Sequence, residues 1–176
     1  MRKIYIILTH TGTLLSNIIK FYMGFEFSHV SIALDEQLEQ MYSFGRLHPY
    51  NPFMGGFVHE HINEGTFKRF QNTRAKIYCL EIEDVKYENV KKYILQIQNA
   101  NYKFNILGLF AAGFHIRRQK SNAFYCAEFV KYVIDKSNVN IALPEAVNPE
   151  NFQYIEGTQE VYSGFLRNYC KGGQKC

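Results

Sequence analysis

The chain has 176 residues, enough for one domain that buries roughly two-thirds of its unfolded surface without disulfide or metal staples. Apolar residues make up 47% and charged residues 20%, an ordinary globular composition with 13 Tyr, 15 Phe and no Trp, which excludes a collagen-like or disordered chain. A formal charge of +4 spread along the sequence gives no basic stripe for nucleic acid, and no apolar run approaches the ~20 residues of a membrane span.

The four cysteines, Cys79, Cys126, Cys170 and Cys176, form no CxxC pair, and the chain starts on a strand-like run rather than a signal peptide. A reducing, cytoplasmic compartment is the expectation. Peripheral lipid contact is left open.

Residues 3–8 are β-branched and apolar, a strand expected to be buried on both faces. Thr9-His10-Thr11-Gly12-Thr13 then offers N-cap hydroxyls for a helix over residues 14–23, with His10 placed to look into a cleft at this turn. Residues 27–34 alternate: Val30, Ile32 and Leu34 point one way, His29, Ser31 and Ala33 the other. A turn at residues 35–37 returns the chain as a hairpin partner over residues 38–44. His29 thus lies on a rigid strand among small residues, which leave room for a ligand.

Prolines and glycines through residues 45–70 predict a long ordered loop over a binding site, with a short strand at 56–60. His59-Glu60-His61 has the residue types of a metal site, but no third ligand is evident nearby, so no metal is assigned. Residues 76–82 predict a strand carrying a structural Cys79, and 84–100 a helix buried through Val90, Tyr93, Ile94 and Ile97. Residues 106–114 suggest a short buried helix, followed by an exposed basic loop at 115–120. A last strand is expected within 160–168 and a disordered tail from about 170.

Between these lies the segment on which the chemistry turns. From Cys126 onward, Phe129, Val130 and Val133 recur at helical spacing while Glu128, Lys131 and Asp135 fall opposite, so an amphipathic helix begins at the cysteine. Unpaired N-H groups and the dipole at such a helix start favour a thiolate, with Ser121 and Asn122 as candidate caps. A thiol there and a histidine on a separate hairpin are the two parts that cysteine-dependent acyl transfer needs. A third polar group should orient the imidazole, and the hairpin offers Glu39, Tyr42 and Ser43.

Ser28-His29-Val30-Ser31-Ile32, with Phe124-Tyr125-Cys126-Ala127-Glu128-Phe129-Val130 about a hundred residues later, resembles the circularly permuted, NlpC-type papain-like cysteine hydrolases. The resemblance implies an α+β fold with a central antiparallel sheet packed against helices, Cys126 as nucleophile and His29 as general base, and no cofactor. Counting along the hairpin puts Tyr42 in the third position, where many relatives carry Glu or His. Tyr125 resembles a pocket-lining position, and His10 and Ser31 complete the expected substrate contacts. The group contains peptidases, amidases and lipid acyltransferases or phospholipases. The expected partner is therefore a small or peptide-like acyl substrate, and a non-catalytic binding module of the same fold is the alternative.

Overall fold

The computed structural model describes residues 1–13, 16–17, 21, 24–48, 51–100, 102–105 and 123–169. Its centre is a six-stranded antiparallel sheet in the order β4-β3-β2-β1-β5-β8, formed by β1 (Arg2–His10), β2 (His29–Ala33), β3 (Met41–His48), β4 (Asn51–Glu60), β5 (Arg74–Ile82) and β8 (Gln159–Phe165). Two short strands, β6 (Lys103–Phe104) and β7 (Ala123–Phe124), pair in parallel beside it. The helices are α1 (Gly65–Arg69), α2 (Asp84–Asn99) and α3 (Cys126–Lys136). The protein is thus mixed α+β, built around an antiparallel sheet.

From Ile4 to Thr9, β1 is buried on both faces, as its unbroken apolar run implies, because a core packs against each face. Ile4, Ile6 and Leu8 enter the larger core under α2 and α3, where Val90, Ile94, Phe129, Val130 and Val133 meet them. Tyr5 and Ile7 point into a smaller core on the opposite face, closed by Phe67 of α1 and by Leu166. The Phe-rich composition is explained locally. Phe44 packs edge-on to Phe124 with centroids 5.4 Å apart and lies 5.5 Å from Phe129, a cluster that binds the α3 start to β3.

The expected loop over residues 45–70 is instead mostly a β-hairpin, β3 with β4, followed by α1. Its breakers are compatible with strands for definite reasons. Pro52 lies in β4, the outermost strand, where a missing N-H can be tolerated. Gly55 lets β6 approach: a Cβ there would come within 2.5 Å of the Phe104 ring and 2.9 Å of the Gly45 carbonyl oxygen. Thr13 caps a helical turn at residues 16–17, its Oγ1 accepting from Ser16 N at 3.3 Å, but most of the helix expected over 14–23 lies outside the described residues. So do the expected helix at 106–114, the basic loop at 115–120, Ser121, Asn122 and the tail from 170.

Gly55→Ala should cost about 1–3 kcal/mol through overpacking against Phe104, read as a lower Tm with the fold retained. Phe104→Leu in the same background should recover part of the loss. A wild-type Tm for Gly55→Ala would contradict the close approach.

Candidate active site

His29 opens β2, and its side chain shares a face with Ser31 because the two are separated by one pleat. On β3, Ser43 and Gly45 continue that face. A Cβ on Gly45 would lie 3.4 Å from both His29 Cε1 and Ser43 Oγ, and 3.7 Å from Glu60 Oε1. These small residues leave a trough across the sheet. The Glu60 side chain, from the end of β4, lies in it, with Oε1 3.0 Å from His29 Nε2 and Oε2 accepting from Ser31 Oγ at 2.5 Å.

Cys126 enters from the other side, as the first residue of α3. Its thiol stands close enough to the His29 ring to help raise the imidazole pKa, and both side chains line one cavity. The helix start is held firmly: Glu128 Oε2 accepts from Tyr125 N and Asn105 Nδ2, each at 3.3 Å. First-turn N-H groups of an α-helix have no partner within the helix, so donors lie beside the sulfur. Cys126 is 3% exposed, yet it lines a cavity together with His29 and Glu60. The lining also includes the hydroxyls of Thr11, Thr13, Ser16 and Ser28 and the rings of Phe44, Phe67 and Phe104.

The charges in the site reinforce one another. Burial alone would lower the His29 pKa, but the Glu60 charge and hydrogen bonds with Cys126 and Glu60 outweigh it and raise the value from 6.5 to about 10. Burial pushes Glu60 the other way, upward, yet the imidazole and the Ser31 hydroxyl hold it below its ordinary value. Ser43 Oγ makes no well-aligned hydrogen bond but stands near the same carboxylate and favours its charged form. Cys79 is not among the residues lining this cavity: it is buried on β5, and burial raises its pKa.

Neither a protein-family model nor a curated protein matches the chain. The site therefore rests on its own geometry.

Several expectations need correction. Tyr42 does not orient His29: it pairs in register with Ile32, hence lies on the opposite face, stacked on Phe57 and His59 at 5.8 and 4.8 Å between centroids. Glu39 is no substitute, since it precedes β3 in an exposed turn, where its carbonyl meets His59 Nε2 at 2.7 Å. The third residue is Glu60, one strand further on. Ser31 serves this carboxylate rather than a substrate. Tyr125 is buried, its hydroxyl donating to the Val147 carbonyl at 2.6 Å, and it is not among the residues lining the cavity. The turn after β1 does reach the cavity, but through Thr11 and Thr13, while His10 pairs in register with Arg74.

Glu60 was visible in the sequence as the middle of His59-Glu60-His61, read there for metal rather than for strand alternation. Alternation along β4 puts Glu60 on the face opposite both histidines, which is the face of His29. The polar lining from Thr11, Thr13, Ser16, Ser28 and Arg46 had no comparable signal.

The pair makes stability depend on pH in two directions. His29 holds its proton more tightly in the folded chain, so its contribution is complete below about 6.5 and is lost as pH rises through about 10. Glu60 is lowered, so its contribution is complete above about 4.5 and is lost as pH falls through the depressed value. Urea midpoints measured from neutral pH to above pH 10 should fall more steeply for wild type than for Glu60→Gln. Parallel curves would dissolve the pairing.

Proposed function

We propose that the protein is a cysteine-dependent hydrolase of amide or other acyl bonds, with Cys126 as nucleophile, His29 as proton acceptor and donor, and Glu60 as the residue that orients and charges the imidazole. One observation carries this reading: a thiol at a helix start lines the same cavity as an imidazole whose Nε2 is held by a buried carboxylate. The arrangement supports the permuted papain-like fold that the two motifs suggest, with the sheet histidine preceding the helix cysteine.

In this mechanism the thiol proton is held on the His29 ring, and the Cys126 thiolate attacks the substrate carbonyl. The tetrahedral oxyanion is held by N-H groups of the α3 first turn. His29 then gives its proton to the leaving group as the carbon-to-leaving-group bond breaks, and a thioester remains on Cys126. Water, deprotonated by His29, attacks the thioester; the acid departs and the thiol is restored. Glu60 keeps its charge throughout, and its hydrogen bond to Nε2 holds the imidazole in place.

A non-catalytic module of the same fold was motivated by the lack of an orienting carboxylate. Glu60 supplies one, so the catalytic reading is preferred.

On a panel of activated acyl esters and anilides, Cys126→Ala should lower kcat/KM by at least about a thousandfold, and Glu60→Gln by about ten- to a hundredfold. Intact-mass measurement of wild type quenched early in turnover should find the acyl group on Cys126. Turnover that survives Cys126→Ala, or a panel hydrolysed by no variant and leaving Cys126 unacylated, would refute the proposal.

A further inference from the structure

Arg46 follows Gly45 on β3 and is half-buried at the wall of the same cavity. It also lines a second pocket, and the two pockets share Arg46, Glu60, Thr66 and Phe67. A ligand whose carbonyl reaches Cys126 from this side passes the guanidinium.

Among the described residues, no carboxylate lies within ion-pair distance of Arg46, and Glu60, already bonded to His29 and Ser31, is the one that acts on it from further off. Its cationic carbon lies 5.5 Å from the centroid of the Phe70 ring. A partly desolvated cation with no anion beside it is costly, and burial lowers its pKa from the ordinary guanidinium value. A group arranged this way is suited to a partner from outside the chain.

We propose that Arg46 is a specificity-determining residue that binds a carboxylate on the acyl substrate, at the wall of the cavity that Cys126 lines. The inference rests on the hydrolase reading of this cavity. Among the described residues Arg46 has no carboxylate at ion-pair distance, because Glu60 is engaged by His29 and Ser31, and one carboxylate on the ligand matches its single charge. The planar guanidinium fork matches a carboxylate in two parallel hydrogen bonds. A phosphate dianion would overcompensate and meet Glu60, with Glu64 on the rim of the second pocket adding to the repulsion. The substrate class is thus an acyl compound with a free carboxylate, such as an N-acyl amino acid or a peptide C-terminus.

Two alkylating probes test this without knowledge of the substrate. Iodoacetate and iodoacetamide both react by sulfur displacing iodide, and differ in carrying a carboxylate or a neutral amide. Second-order rates at Cys126, separated from the other thiols by peptide mass mapping, give an iodoacetate-to-iodoacetamide ratio. The ratio should fall about tenfold in Arg46→Gln and recover in part in Arg46→Lys. Because His29 is present in all three proteins, its attraction for the anion cancels from the comparison. An unchanged ratio, with Cys126 still alkylated by both reagents, overturns the carboxylate site while leaving the nucleophile intact. A wild-type Cys126 no more reactive than Cys79 toward either reagent overturns the hydrolase reading, and this inference with it. A measurement free of variants is protection of wild-type Cys126 from iodoacetamide, where N-acetylglycine should protect at a concentration about tenfold lower than N-acetylglycinamide. Equal protection by the two also overturns the carboxylate site.

Discussion

The hydrogen bond between His29 and Glu60 is the constraint around which the sheet is arranged. Placing a carboxylate where its side chain is only 10% exposed costs several kcal/mol unless a cation and hydrogen bonds replace water. Glu60 has both, in the His29 ring and the Ser31 hydroxyl. To reach them its side chain must lie along the sheet rather than stand up from it, and that demands small neighbours. Ser31, Ser43 and Gly45 are those neighbours, so the composition of two strands follows from the needs of one carboxylate.

The thiol is brought to this pair by apolar packing. Phe44, Phe124 and Phe129 join β3, β7 and α3 into one aromatic cluster, and the fully buried Phe129 fixes the helix one turn beyond Cys126. Tyr125 fastens the residue before the cysteine to Val147, and Glu128 fastens the backbone N-H of Tyr125. A nucleophile must be held to within a fraction of an ångström of its base, and rigid elements do this better than loops. Here the sulfur rides on a helix and the imidazole on a sheet, with rings locking the two together.

The cavity inherits its two characters from these two supports. Hydroxyls come from the turn after β1, where Thr11, Thr13 and Ser16 hydrogen-bond among themselves, and aromatic rings come from the core and from α1. A lining of hydroxyls and aromatic rings suits a ligand with both polar and apolar parts. Among the described residues, no helix is long and apolar enough to cross a membrane.

Much of this was legible in the residues themselves. The apolar run at the start of the chain specified a central strand because only a strand buried on both faces lacks alternation, and the 3.6-residue spacing after Cys126 specified a helix beginning at the thiol. His29 and Cys126 stood out because their types and local elements matched one chemistry. Glu60 and Arg46 did not, since the glycines and prolines of the β3–β4 hairpin disguised it as a loop, and no spacing in a sequence tells which strand lies next to which. Period-2 alternation assigns a side chain to a face, yet strand order and register decide what it meets there: Tyr42 was close to His29 along the hairpin and fell on the wrong face, whereas Glu60, 31 residues away, fell on the right one. Local pattern therefore singled out the thiol and the imidazole, and only tertiary pairing decided which carboxylate meets the imidazole.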